Sequence, residues 1–392
     1  MKDLRCGLVS SNPFPIGNVS TLRYSSYMMA LAKVGCFSKI YIYTPSRTAK
    51  PNKVISGTHK GVHFDYTAGK ISLKKRNFIS MYYYLIKGLI KSWKKICDDN
   101  INCLILYGEN RWIVNLFYKS LCVLKHIKFY GDRSEYPSSA IMKSPIRKKL
   151  YSMKISWFDG MILMTDALNS FYSNLLIEKK STFLLPMTID PSRFNNVLKQ
   201  IVNQQYIAVV FGTHNRDGID DSIIAYNKYR EKGGNFNLHL IGDYNNMPNK
   251  PVLDNIIKNS KFYKDIIICG SVQNNLVPQI LANASCLLTT PLEYSSGGFP
   301  TKVGEYMLSM TPIVATSAGD LLKFIQPDKE ALFAPPHDID KIADLLLFIE
   351  NHPNEAHIMA TNAREKVLRV FNADTYIGDL IKFLQGYSIN VK

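Results

Sequence analysis

Two Rossmann-like α/β domains are the fold this sequence predicts, and three observations lead there. Apolar runs of strand length alternate with helical patterns along the 392 residues. The alternation lapses near the middle, in the polar segment Thr188–Gln205. The length suits two domains, each large enough for its own core. Strands separated by helices are the pattern of parallel sheets with helical crossovers. The expected domains are residues 1–195 and 196–371, with a final helix within 372–392.

The first half opens with a strand, Leu4–Ser10, and then Asn12–Ser20, a loop holding Pro13, Pro15 and Gly17. A helix from about Thr21 to Val34 stops at Gly35, and Lys39–Thr44 is a second strand. Residues 45–60 read as polar loop and Val62–Tyr66 as a short strand. In Phe78–Ile96, apolar residues fall at Phe78, Tyr82, Leu85, Leu89, Trp93 and Ile96, steps of three and four that make one helical face. Lys87, Lys91, Lys94 and Lys95 share the segment, Lys74, Lys75 and Arg76 precede it, and no acid occurs from Ala68 to Cys97. Two readings stay open: a sheet-packing helix with a solvated basic face, and a helix lying on a membrane surface. Strands follow at Cys103–Tyr107, Lys128–Gly131 and Gly160–Thr165, and Thr182–Met187 closes the half.

The second half repeats the rhythm. Its strands are Tyr206–Phe211, Asn237–Ile241, Ile266–Cys269, Cys286–Thr290, Ile313–Thr316 and Leu332–Ala334. Its helices fall at about Ile219–Glu231, Asn275–Asn283, Thr301–Ser309, Ile339–Glu350, Glu355–Phe371 and Asp374–Leu384. The stretch Cys286–Thr316 stands out as strand, glycine-containing loop, short helix and strand. Pro300 fits a helix start, where its missing N–H is not needed. A strand feeding a glycine loop onto a helix N-terminus holds anions, because backbone N–H groups converge there and the helix dipole adds positive potential. Glu305 lies four residues after Thr301 and three after Lys302, so all three share a face.

Charge is unevenly spread. Residues 1–195 carry 30 lysines and arginines against 11 acids, and residues 196–392 carry 18 against 20. The basic half suits an anionic partner such as a membrane surface, a phosphorylated lipid or a nucleic acid. No recognisable nucleic-acid module supports the last. No apolar run is long enough to cross a membrane, and the N-terminus lacks a signal peptide's apolar region. The seven cysteines form no CxxC pair and read as reduced, mainly buried thiols of a cytoplasmic protein. GxGxxG after the first strand, GxxxxGK[ST], HExxH and GxSxG are absent, and the eight histidines are scattered.

What remains is a set of loops after strands: Asn12–Ser20, Gly131–Pro137, Gly212–Gly218 and Tyr294–Pro300. Facing domains would bring all four to one cleft. Arg216 and Lys302 would then hold a diphosphate, and Glu305 would accept two hydrogen bonds from a ribose. Asp132 and Glu135 are candidates for acceptor contact or proton transfer, with loop capping or a surface Arg133–Glu135 pair as the alternative. Lys302–Glu305 has its own alternative, an exposed i,i+3 pair.

The run GGFPTKVGEYMLSMTPIVAT resembles the C-domain signature of retaining glycosyltransferase family 4, of the GT-B fold. CGSVQNNLVPQILANASCLLTTP, VVFGTHNRDGID, LLPMTIDPSRF and NPFPIGNVSTLR resemble further family segments, in family order. The resemblance implies a nucleotide-diphospho-sugar donor (a UDP- or GDP-sugar) on the C-domain and an acceptor on the N-domain. It implies a final helix that crosses back to the N-domain. Glu305 matches the glutamate that holds the donor ribose. Gly298, Phe299, Pro300 and Thr301 match the segment near the donor's sugar and phosphates. Gly17 matches the N-terminal glycine that approaches the diphosphate, and Gly212 opens the corresponding C-domain loop. The chain departs from the pattern twice. Gly297 stands where the family's first glutamate contacts the donor sugar, with Glu293 four residues earlier. Asp217 stands where a lysine precedes the C-domain loop's glycine.

The retaining outcome implied by the family needs no metal and no cofactor, since Arg, Lys and the helix dipole stabilise the leaving diphosphate. The expected acceptor is a lipid-linked or other glycan, with an anionic membrane surface as a further partner and no nucleic acid. That places the enzyme in polysaccharide or glycolipid assembly, cytoplasmic or peripheral on the inner face of the cell membrane. A sugar-nucleotide 2-epimerase of the same fold is one alternative, disfavoured by the lack of an N-terminal GTRPE-like segment. A non-catalytic nucleotide-sugar or membrane-binding subunit is another.

Overall fold

The computed structural model describes residues 4–46, 49, 51–73, 77–176, 180–212, 215–292 and 301–387, with Val19 and Thr301 as backbone alone. The chain divides into two compact units, Met1–Asp190 with Asn372–Lys392, and Pro191–Phe371.

The first unit runs β1 (Arg5–Ser10), α1 (Val19–Lys33), β2 (Phe37–Ile42), β3 (Ser56–His59), β4 (Val62–Tyr66), α2 (Phe78–Asp98), β5 (Cys103–Tyr107) and α3 (Trp112–Leu124). It continues with β6 (Lys128–Arg133), α4 (Ser139–Met142), α5 (Pro145–Ile155), β7 (Gly160–Leu163), α6 (Asp166–Leu175) and β8 (Ser181–Leu184). The strands form one sheet in the order β3-β4-β2-β1-β5-β6-β7-β8. All neighbours are parallel except β3 and β4. Helical crossovers cover such a sheet on both faces, so a strand like Cys103–Tyr107 is buried throughout and reads as a plain apolar run.

Strand β3 falls in the stretch expected to be loop. It is polar because it is an edge strand, largely exposed and paired only to β4. Its turn residues Lys60 and Gly61 have φ of 47° and 80°. Two positive φ values give a two-residue hairpin the twist its strands need.

Helix α2 corrects a second expectation. Of the six-residue apolar face, Leu85, Leu89 and Ile96 enter the core, beside Gly88 and Ser92. Phe78 and Tyr82 instead face solvent and lean on each other, ring centroids 4.5 Å apart. Gly88 decides which part of the helix docks. A Cβ there would lie 1.9 Å from the Tyr43 carbonyl oxygen. The Gly88 carbonyl also accepts from the Thr67 hydroxyl at 2.8 Å. The basic face is partly neutralised, since Lys95 pairs with Asp65.

The second unit runs β9 (Tyr206–Val210), α7 (Ile219–Glu231), β10 (Asn237–Ile241), α8 (Lys250–Lys258), β11 (Ile266–Gly270), α9 (Val277–Asn283) and β12 (Cys286–Thr289). Then come α10 (Thr301–Leu308), β13 (Ile313–Thr316), α11 (Leu321–Phe324), β14 (Leu332–Ala334), α12 (Ile339–Asn351) and α13 (Pro353–Val370). Its six strands are all parallel, in the order β11-β10-β9-β12-β13-β14. Ile207, Leu238, Leu288 and Val314 lie at its core.

The last helix, α14 (Ile377–Leu384), returns to the first unit, as the resemblance implies. Leu380, Ile381 and Leu384 join that unit's core. Tyr130 donates its hydroxyl to the Phe383 carbonyl at 2.9 Å, and the Phe383 ring stacks on Phe183.

Gly88→Ala is expected to cost about 1–3 kcal/mol by overpacking. Gly378→Ala, where an added Cβ meets nothing within 4 Å, is expected to be neutral or to stabilise by up to about 1 kcal/mol. Urea unfolding of both variants checks the contrast.

Candidate functional site

Helix α10 begins where the loop after β12 ends, at the carboxyl edge of the second sheet. Open parallel sheets hold ligands at this edge. Val303, Tyr306, Met307 and Leu308 are buried. The Tyr306 hydroxyl accepts from the Val210 N–H at 2.9 Å, which ties the helix to the end of β9. Lys302 and Glu305 remain on the outer face, and each has a partner.

Glu305 forms an ion pair with Arg193. Arg193 belongs to the 3₁₀ turn Pro191–Phe194, and its Nη2 also donates to the Asn274 carbonyl and side-chain oxygens, both at 2.8 Å. Lys302 Nζ lies 3.0 Å from Asp217 Oδ1. Asp217 Oδ2 accepts the Gly212 N–H at 2.7 Å. Burial pushes the Lys302 ammonium below the usual lysine value, Asp217 opposes that shift and Arg216 adds to it. Asp217, which stands where the family has lysine, is thus the counter-ion of Lys302.

Loop joins loop at this edge. Gly218 has φ 63°, and a Cβ there would sit 1.9 Å from the Thr290 carbonyl oxygen. Thr290 donates its hydroxyl to the Gly218 carbonyl at 2.6 Å, and the Leu292 N–H donates to the Arg216 carbonyl at 3.1 Å. Arg216 is half-buried in the 3₁₀ turn Asn215–Asp217. Gly298, Phe299 and Pro300, with Glu293 and Gly297, lie outside the described residues, and Thr301 opens α10.

In the first unit, Gly17 lets its loop fold onto α1. A Cβ there would lie 2.1 Å from Thr21 Oγ1 and 2.5 Å from the Pro13 carbonyl oxygen. Asp132 needs a correction. It is buried at the end of β6 rather than presented on a loop. Tyr27 donates to Oδ2 at 2.8 Å, and Arg23 Nη2 lies 3.3 Å from Oδ1. Arg23 Nη1 donates to the carbonyls of Leu185 and Pro186, at 3.0 and 2.9 Å. Burial and the charge of Asp132 push the Tyr27 phenol well above its usual value. Asp132 is thus half of a buried charge pair with Arg23. Arg133 is no surface residue either, since its guanidinium donates to the carbonyls of Leu106, Asp132 and Glu109. Glu135 is exposed, and its carbonyl accepts from the Tyr172 hydroxyl at 3.1 Å.

Three residues that the sequence reading passed over gather past β5. Arg111 binds Glu109 through Nη2 at 2.7 Å and Nε at 3.1 Å, and its Nη2 reaches the Tyr43 hydroxyl at 2.9 Å. Lys154 is buried and donates to the Asn110 carbonyl at 2.7 Å. Burial lowers its pKa to about 7, Arg133 adds to the shift and Glu109 opposes it. Nothing in the local pattern marks Lys154, which sits among the exposed lysines of one helix. Arg111 also borders a cavity of about 430 Å³, with Asn12, Asn18, Ser46, Met81 and Tyr82. A larger cavity of about 680 Å³ is lined by Leu332, Leu345, Phe348 and Met359 and touches none of these residues. Among the described residues no group of three or more His, Cys, Asp or Glu side chains is arranged to hold a metal ion.

Residues 193–366 match the model of the family Glycosyl transferases group 1. The matched stretch holds both ion pairs on α10. The class defined is the GT-B α/β fold, with a second unit that matches the group 1 glycosyl transferase model, as the motifs suggest. Among individual proteins, the chain is 36% identical over 76 residues to MMP alpha-(1->4)-mannosyltransferase of Mycolicibacterium hassiacum. That match takes in 19% of this chain and 18% of the relative. Among solved structures, sucrose-phosphate synthase from Thermosynechococcus elongatus has a TM-score of 0.74 at 15% identity, covering 98% of this chain and 100% of that one. A glycosyltransferase from Rickettsia africae ESF-5 has a TM-score of 0.72 at 12% identity, covering 98% and 100%. Anabaena HepE in complex with UDP also scores 0.72, at 10% identity, covering 97% and 100%. At such identities the structures show the fold alone.

Asp132→Asn is expected to destabilise the protein by about 3–5 kcal/mol, because it leaves the Arg23 charge buried and unpaired. Chemical denaturation checks it. Lys154 has a folded pKa below its unfolded value, so between about pH 7 and the usual lysine value the unfolded state binds the extra proton. Its contribution therefore makes stability rise with pH across that window. Lys154→Met is expected to flatten the rise in a pH series of urea midpoints.

Proposed function

We propose that this chain is a glycosyltransferase that takes a sugar from a nucleotide-diphospho-sugar and passes it, with retention, to a lipid-linked or glycan acceptor. UDP and GDP are the favoured nucleotides, and the UDP complex of HepE supports the first. The process served is assembly of cell-surface polysaccharide or glycolipid at the cytoplasmic face of a membrane. Glu305 carries the reading. It is a half-buried carboxylate on the helix after the glycine loop, inside the family-matched region, and held in place by Arg193.

A carboxylate paired on one side keeps acceptor capacity on the other. Two ribose hydroxyls would donate to Glu305, each charge-assisted bond contributing roughly 1.5–3 kcal/mol. Arg216, Lys302 and the first N–H groups of α10 would take the diphosphate, with phosphate oxygens displacing Asp217 from Lys302. Positive groups aimed at the leaving diphosphate favour its departure from the anomeric carbon. The acceptor hydroxyl would attack from the face the diphosphate leaves, and a donor phosphate oxygen would take its proton. Such a course asks for no protein base, and it leaves Asp132 to its pair with Arg23.

A thermal-shift screen across UDP-, GDP-, ADP- and dTDP-sugars tests the reading. A UDP- or GDP-sugar is expected to stabilise the protein. Glu305→Ala is expected to weaken donor binding by at least about 100-fold, the loss of two such bonds. An unchanged shift in that variant would remove Glu305 from the donor site. Conversion of a donor with no acceptor present would point to an epimerase, and binding without turnover to a non-catalytic subunit.

A further inference from the structure

A surface helix of a globular protein commonly lays one apolar stripe on the core and turns charge to solvent. Helix α2 carries two apolar stripes. Leu85, Leu89 and Ile96 face the core. Ile79, Tyr83, Ile86 and Ile90 recur at steps of three and four on another side and are 79%, 56%, 50% and 61% exposed. Lys87, Lys91 and Lys94 border this outer stripe, with Lys91 and Lys94 exposed. The Lys87 ammonium lies 5.6 and 5.8 Å from the ring centres of Tyr83 and Tyr84. Neighbouring α3, which meets α2 where Phe117 packs on Trp93, adds exposed Ile113 and Leu116. An apolar surface of this extent marks a contact site.

We propose that the outer stripe of α2 docks on the surface of an anionic lipid bilayer. The isoleucines and Tyr83 enter the boundary between headgroups and acyl chains, and the flanking lysines meet lipid phosphates. Charge favours this occupant over a second copy of the chain. From Ala68 to Cys97 there is no acid to answer the lysines of a facing α2. No helix among the described residues is long and apolar enough to cross a membrane, so α2 lies on the surface. This inference goes beyond the glycosyltransferase reading and does not require it.

The test is sedimentation of the full chain with vesicles of phosphatidylcholine alone and of phosphatidylcholine mixed with phosphatidylglycerol. Binding is expected on the mixed vesicles and is expected to fall with added salt. Lys91→Gln with Lys94→Gln is expected to weaken it about fivefold per lysine. Ile79→Ser with Ile86→Ser and Ile90→Ser is expected to abolish it. All of these positions are exposed, and circular dichroism melts verify that the variants fold. A wild-type chain that stays in the supernatant with both vesicle types overturns the proposal. So does equal binding by both variants, or a serine variant whose one change in sedimentation velocity is loss of a protein oligomer. Donor binding is not read in this experiment, so its failure leaves the donor-site assignment untouched.

Discussion

A charged side chain at the carboxyl end of a buried parallel strand loses much of its water, at a cost of several kcal/mol per ion. Among the described residues several such charges meet an opposite one. Asp132, ending β6, meets Arg23. Glu109, just past β5, meets Arg111. Lys302 and Glu305 on α10 meet Asp217 and Arg193. The pairs also join distant parts of the chain. Arg23 ties α1 to β6 and to the carbonyls after β8. Arg193 ties the turn at the start of the second unit to α10 and to Asn274. The loop edges of both sheets are therefore held by electrostatics as well as by packing.

The pairing divides these charges into two kinds. Arg23 and Asp132 are fully buried, so exchanging either partner for a ligand would leave the other charge uncompensated. The α10 pairs keep a solvent-facing side, with Glu305 and Arg193 only part-buried. A phosphate would meet Lys302 there, and a sugar diol the side of Glu305 that Arg193 leaves open. The donor site we propose uses the second kind.

Much of the fold was legible in the sequence. Strands buried on both faces appear as short apolar runs, and β5, β9 and β12 were found that way. Strand β3 was hidden because an edge strand has a polar composition, and its signal was the Lys60–Gly61 turn. Helix α8 was passed over, although Val252, Leu253, Ile256 and Ile257 have helical spacing. In α2 the spacing marks the helix and its core-facing Leu85, Leu89 and Ile96, but it wrongly adds Phe78 and Tyr82, which face solvent. The motif segments located the candidate donor loops in chain order. They did not reveal Arg193 as the partner of Glu305, nor Lys154 as a buried lysine.

The sequence by itself determined the periodicities: which runs are strands and helices, that Lys302 and Glu305 share a face, and that basic charge gathers in the first half. These follow from local geometry, since residues three or four apart on a helix must be neighbours. Only the tertiary structure decided which charge meets which, that Asp132 points inward, and which stripe of α2 is buried. Those outcomes depend on contacts between residues far apart in the chain. At Gly88, for example, the approach of the Tyr43 carbonyl selects the inner face and leaves Ile79, Tyr83, Ile86 and Ile90 outside.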